Sequence, residues 1–179
     1  MSPRPSAKSS ESATTSQPGW IMGPVRALDS LIGAHPAALL DLYREGRPID
    51  SAELEGRLRG RMLGIPVETA FMLMQPLVVL FARHIYPWRG KRFDAGGMGG
   101  HNFFVRGQGL RFRCEPAPSE IDGRPTLLIL YDLPGNLWPV SRMVDELRFV
   151  GDTVMIGPSS LRTRTGSLLF AWWGLETSP

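Results

Sequence analysis

Residues 110–132 read LRFRCEPAPSEIDGRPTLLILYD. Leu110, Phe112 and Cys114 alternate with Arg111, Arg113 and Glu115, the period-two pattern of a strand with one covered and one wet face. The Asp122-Gly123 pair supplies a turn ahead of the apolar run Thr126–Asp132, so the two segments predict a β-hairpin. The pattern continues on both sides. Pro134, Gly135 and Asn136 make the next turn, and residues 142–150 (RMVDELRFV), 153–157 (TVMIG) and 167–176 (SLLFAWWGLE) supply three more strands. Gly151-Asp152 and the stretch Pro158–Gly166 separate them. Residues 89–94 and 101–106 bring the count to about seven. No helical period intervenes between these short strands, which excludes parallel βαβ units and predicts a mainly β fold, an antiparallel up-and-down meander closing into a small barrel.

Upstream of the strands the chain reads differently. Residues 1–18 (MSPRPSAKSSESATTSQP) carry no aromatic or aliphatic anchor beyond the first Met and are expected to be a disordered tail. They lack the apolar centre of a secretory signal and the arginines of a transit peptide. Residues 19–179 are expected to form one domain, with a helical lead-in over 19–86 and the barrel over 87–179. In the lead-in, Pro24 opens a short helix ending near Ile32, ahead of Gly33. Pro36 opens another, with Leu39, Leu40 and Tyr43 as its apolar stripe and Gly46 as its stop. Asp50 followed by Glu53 predicts a capped helix start. Leu54, Leu58 and Met62 then fall at helical spacing, with Arg57, Arg59 and Arg61 on solvated faces. From Ala70 to Ala82 only Gln75 is polar, a run too short to span a bilayer and lacking the basic polar face of an interfacial helix. It reads as a buried helix kinked at Pro76, or a helix followed by a strand from Leu77.

Composition limits the chemistry. Of 179 residues, 42% are hydrophobic, so the chain is not disordered as a whole. The single cysteine excludes an intrachain disulfide framework and a Cys-rich zinc site, and fits a cytoplasmic location. The net charge is +3, and all but two of the 20 basic residues are Arg; the lysines are Lys8 and Lys91. Residues 83–113 hold seven basic side chains and one acidic, whereas residues 114–152 hold three basic and seven acidic. Alternating signs on neighbouring strands predict cross-strand ion pairs rather than a continuous basic face for nucleic acid.

The order of short motifs adds a resemblance. Pro87-Trp88-Arg89-Gly90-Lys91-Arg92-Phe93-Asp94 is followed by Gly99-Gly100-His101-Asn102, then Asp122-Gly123-Arg124-Pro125 and Tyr131-Asp132. Asp145-Glu146-Leu147-Arg148, Ile156-Gly157, Phe170-Ala171 and Leu175-Glu176 complete the series. The series resembles that of a widespread family of small bacterial proteins with lipocalin-like (calycin-type) β-barrels and short helices in front. The likeness covers about residues 35–176 and implies a fold rather than an activity. Trp172-Trp173-Gly174 and the long turn Leu161–Thr165 depart from the family pattern near the barrel mouth.

No nucleophile elbow, metal-ligand spacing or phosphate loop is present. His35, His84 and His101 share no ligand spacing, Gly96–Gly100 lacks the required phasing, and Cys114 is in phase with buried residues. The chain is therefore expected to use no cofactor and no metal. In 142–150, Met143, Asp145, Leu147 and Phe149 share one face and Val144, Glu146, Arg148 and Val150 the other, so one charged side chain must point into a covered space. The bland account is an ion pair of Arg148 with Asp132 or Glu146. The functional account makes Tyr131, Asp145 and Arg148 catalytic candidates, because a desolvated carboxylate can act as acid or base. His101 and Asn102 are ligand-binding candidates, with Trp138, Phe170 and Trp172 as aromatic wall alongside Trp88 and Trp173. On the last strand, Leu168, Phe170 and Trp172 share one side, and Leu169, Ala171, Trp173 and Leu175 the other. The leading expectation is a barrel that binds a small hydrophobic or amphipathic molecule. The alternatives are a cofactor-independent cyclase or isomerase of secondary metabolism, acting on a flexible polyketide- or terpenoid-like substrate, and a structural or membrane-apposed interaction protein using residues 70–82. The oligomeric state stays open, a homodimer included.

Overall fold

The computed structural model describes residues 25, 27–66, 80 and 87–177. Eight antiparallel strands form a closed barrel in which each pairs with the next in chain order and the last pairs with the first. They are β1 (Gly56–Gly64), β2 (Trp88–Phe93), β3 (Gly99–Phe104), β4 (Gln108–Pro118), β5 (Pro125–Leu130), β6 (Met143–Phe149), β7 (Val154–Arg162) and β8 (Ser167–Glu176). Among the described residues there is one α-helix, α1 (Pro36–Glu45), with 3₁₀ turns at Leu28–Leu31, Ser51–Glu53 and Val140–Arg142. No helix among them is long and apolar enough to cross a membrane. The expected tail over 1–18, the start of the expected helix at Pro24 and all of the apolar segment 70–82 but Leu80 lie outside the described residues.

The expected antiparallel barrel is present, with one strand more than the sequence count. The added strand is β1, which replaces the helix expected over Leu54–Met62. Over so short a stretch the residues fit either period, since Leu58, Gly60 and Met62 also alternate with Arg57, Arg59 and Arg61. Closure decides between them: β1 pairs with β2 on one side and β8 on the other, so the barrel has no free edge. The capping box of Asp50 and Glu53 forms as expected but closes only the 3₁₀ turn Ser51–Glu53. A second correction concerns β7. It runs on through Pro158 to Arg162, so the turn expected over Pro158–Gly166 shrinks to the residues between Arg162 and Ser167. Helix α1 begins at Pro36, with the His35 side chain capping the Ala37 N–H, and stops at Gly46 as expected.

The apolar core lies in two layers. Inside the barrel, Leu58, Trp88, Phe93, Phe112, Leu127, Ile129, Leu147, Met155, Trp173 and Leu175 pack together, and Ile49 and Leu54 belong to the same cluster. Outside it, Leu28, Leu31, Leu39 and Tyr43 cover Leu63, Val154, Ile156 and Trp172. This second layer explains why β7 and the end of β8 are apolar on both faces. The Gly174 backbone lies against Leu28, where an added Cβ would sit 2.6 Å from Leu28 Cδ1.

Four strand pairs slip register, between Met62 and Gly64, Trp88 and Gly90, His101 and Asn102, and Ser159 and Ser160. Each slip leaves one residue unpaired (Leu63, Arg89, Leu110 or Phe170), and each sits toward the same end of the barrel. A β-bulge reverses the in–out phase of everything beyond it. The bulge at Arg89 is what puts Trp88 and Lys91, three residues apart, on the same inward face. Leu110 has φ 50°, the only left-handed non-glycine among the described residues.

Candidate functional site

At the bulged end the barrel encloses a cavity of about 100 Å³. Its floor is polar, built by Lys91 (β2), Asn102 (β3), Tyr131 (after β5), Asp145 (β6) and Ser159 (β7). Apolar side chains, Phe104, Leu110, Met143 and Phe170 among them, form the wall toward solvent. Lys91 and Asp145 are 1% and 3% exposed, so each charge needs a partner to remain ionised. Lys91 Nζ lies 2.9 Å from Asp145 Oδ2 and 3.1 Å from Asn102 Oδ1, and it donates a third bond to the Tyr131 hydroxyl. The Tyr131 hydroxyl donates to Asp145 Oδ2 at 2.7 Å, and Ser159 donates to Asp145 Oδ1. Asn102 is fixed in turn: its Oδ1 accepts from Trp88 Nε1 at 2.8 Å and its Nδ2 donates to the Leu110 carbonyl at 3.1 Å. The bulge at Leu110 thus orients a member of the site.

Aromatic faces surround the ammonium. Lys91 Nζ is 4.7 Å from the centroid of Trp173, 5.1 Å from those of Phe112 and Tyr131, and 5.7 Å from that of Trp88. Ring quadrupoles at these separations stabilise a desolvated cation. Burial, reinforced by the Asp145 charge, raises the Tyr131 phenol well above its ordinary pKa, so it stays protonated. Burial also pushes the Cys114 thiol up to about 12, which leaves it unreactive.

Every polar group on the floor has a partner, but the indole N–H of Trp173 does not. Trp173 is 4% exposed and lines the cavity, and its Nε1 is the single buried side-chain nitrogen or oxygen without a hydrogen bond among the described residues. An indole nitrogen can only donate, so this ring beside the cavity carries one buried donor without a partner. Asp145, by contrast, already accepts from Lys91, Tyr131 and Ser159.

Tyr131, Asp145 and Asn102 meet here as the sequence suggested, with Phe170 in the wall. Four of the expected site residues are placed elsewhere. Arg148 is on the outer side of β6, fully buried, and binds Asp122 through two bonds of 2.7 Å. Its remaining donors reach the carbonyls of Tyr43, Arg124 and Pro125. It clamps the β4–β5 turn to the end of α1, and its hydrogen bonds hold Asp122 down at about 2. The partner expected for Arg148 was Asp132 or Glu146. Asp132 instead pairs with Arg113, and Glu146 accepts from the Tyr43 hydroxyl at 2.5 Å. His101 is on the outer wall of β3, away from the cavity floor. Trp138 is 78% exposed in the β5–β6 loop. Trp172 faces outward against Tyr43, with ring centroids 6.0 Å apart. The bulge at Phe170 separates it from Trp172 in phase and sets Phe170 beside Ala171 and Trp173 at the cavity.

Sequence reasoning missed Lys91 and Ser159. Lys91 carried a usable signal, since it is one of two lysines in an arginine-dominated chain and is in phase with the inward Phe93. A compact ammonium fits a small aromatic cage where a planar guanidinium does not. Ser159 gave no signal, because the strand was not expected to extend so far. Among the described residues no group of three or more His, Cys, Asp and Glu side chains is arranged to hold a metal ion.

No family model matches the chain, and no curated protein matches it. It is similar to the crystal structure of a protein from Thermomonospora curvata, with 16% identity over 80% of this chain and 87% of that one and a TM-score of 0.47.

Proposed function

We propose that the barrel binds a small amphipathic molecule end-on, with an oxygen acceptor of the ligand taking the Trp173 N–H and the apolar remainder resting on Phe104, Leu110, Met143 and Phe170. The observation that carries this reading is the unpartnered Trp173 Nε1, which lies beside a floor whose other polar groups are satisfied. An unmade bond in a buried site costs about 1–3 kcal/mol, a penalty that a carbonyl, carboxylate or hydroxyl oxygen of a ligand removes.

Binding is better supported than catalysis. The cavity, about 100 Å³, is well below the roughly 300–1,000 Å³ of sites that enclose a drug-sized molecule, so a flexible multi-ring cyclase substrate does not fit within it. The acid–base groups are bonded to one another, which serves a fixed recognition surface more directly than proton transfer.

Native mass spectrometry of protein purified gently from its source organism tests the reading. The expected spectrum carries a small-molecule mass excess, which is shed on collisional activation and depleted in Trp173→Phe. A bare polypeptide mass contradicts the proposal if the tryptophan fluorescence also fails to respond to short-chain fatty acids and methyl ketones.

A further inference from the structure

The outer wall of β1–β4 carries a second feature, separate from the cavity. Register places Arg57 opposite Arg92, Arg92 opposite His101, and His101 opposite Arg111. These four basic side chains form one continuous row across four strands, roughly 14 Å long at the usual interstrand spacing. Like charges placed directly opposite each other destabilise a sheet. Three neighbouring arginines on these strands are compensated: Arg59 and Arg61 by Asp29, and Arg113 by Asp132 and Glu115. Arg57, Arg92 and Arg111 make no ion pair among the described residues. The guanidinium of Arg57 lies over the Phe103 ring at 3.9 Å, which fixes its position without neutralising it. Part of the row is concave: a cavity of about 310 Å³ is lined by Arg57, Arg92, His101, Gly107 and Gln108 together with Phe103 and Phe104.

We infer that this row is a binding site for a small, multiply charged phosphate compound of the polyphosphate class. Guanidinium groups bind phosphate oxygens through paired N–H donors. A single phosphate spans at most two neighbours, so a row of four fits an anion with several charges in line. Arg59, Arg61 and Arg113 beside the row are neutralised, so the row does not continue along β1 or β4. Phe103, the ring beside it, is 9% exposed and offers no stacking face. Both points disfavour a nucleic-acid strand, which needs a longer basic track and exposed aromatic platforms.

Isothermal titration with sodium tripolyphosphate at low ionic strength tests this, with inorganic phosphate and a short single-stranded oligonucleotide as the other arms. Tripolyphosphate is expected to bind at least tenfold more tightly than phosphate, and to weaken as salt is raised. Arg92→Gln and Arg111→Gln are each expected to reduce its affinity at least fivefold, while Arg164→Gln, an exposed arginine off the row, leaves it unchanged. Because Arg92 faces Arg57 directly across the sheet, Arg92→Gln is expected to melt no lower than the native protein, so lost binding cannot be ascribed to unfolding. No heat with tripolyphosphate, equal affinity in Arg92→Gln, a lower melting point for that variant, or tighter binding of the oligonucleotide through the same residues would each overturn the assignment.

Discussion

Lys91 and Asp145 face each other inside the barrel with almost no solvent contact, and their separation of 2.9 Å makes each the condition for the other's charge. Replacing one member strands the other. Lys91→Met is expected to destabilise the fold by about 3–5 kcal/mol, whereas Lys91→Met combined with Asp145→Leu recovers most of that loss, because a buried ion pair is often no more stable than apolar groups of similar volume. Urea denaturation midpoints of the two variants and the native protein check this. Equal instability of the single and double variants would show that the pair is not balanced as described. The same residues show how far the sequence could be read. Alternation along 142–150 required a charge to point inward, and Asp145 is that charge. It gave no means of ranking Asp145 above Arg148, because both faces of β6 are covered, one by the lumen and one by Tyr43 and the β4–β5 turn. Lys91 was overlooked because a lysine between Gly90 and Arg92 reads as surface until Phe93 is known to face inward.

At the level of elements, the bulges matter more than the strands they interrupt. Strand existence was legible from period-two alternation: seven of the eight strands were expected, six at nearly their observed positions and β7 at about half its length. Phase was not legible, since each bulge moves its neighbours to the other face without changing composition. For this reason Trp172 was expected beside Phe170 but lies outside the barrel, while Trp173 lines the cavity. β1 escaped notice because a short run with small and apolar residues fits two periods. Gly90, next to the bulge that aims Lys91 inward, is the sharpest test of this scale. Its φ is 143°, and a Cβ there would meet the Leu58 carbonyl oxygen at 2.0 Å. Gly90→Ala must therefore part β1 from β2, with an expected loss of about 3 kcal/mol or more. Gly109→Ala, where nothing lies within 4 Å of the added atom, is expected to be nearly neutral. Thermal melting of the pair decides the point, and equal melting temperatures would count against a close β1–β2 contact at Gly90.

For the whole molecule, the arrangement is a barrel with its interior filled at one end and opened at the other by four bulges. The filled end holds Leu54, Leu127, Leu147 and Phe149, so the interior is a packed core rather than a tunnel. The opened end combines a rigid, charge-balanced polar floor with an apolar wall and one unsatisfied donor. Such a floor needs no reorganisation when an acceptor arrives, which favours binding of a small head group over chemistry on it. The motif series pointed to a small barrel, and the fold agrees at the level of architecture.

The most direct measurement follows the Trp173 indole N–H itself, by heteronuclear NMR of nitrogen-15-labelled protein, with its resonance assigned by its loss in Trp173→Phe. On titration with hexanoate, and in parallel with methyl pentyl ketone, that signal is expected to move downfield saturably as the nitrogen gains an acceptor. The Trp88 indole, already bonded to Asn102, is expected to stay nearly still. A Trp173 signal that does not move with either probe, or that sits at a hydrogen-bonded shift before any is added, would contradict the binding site described.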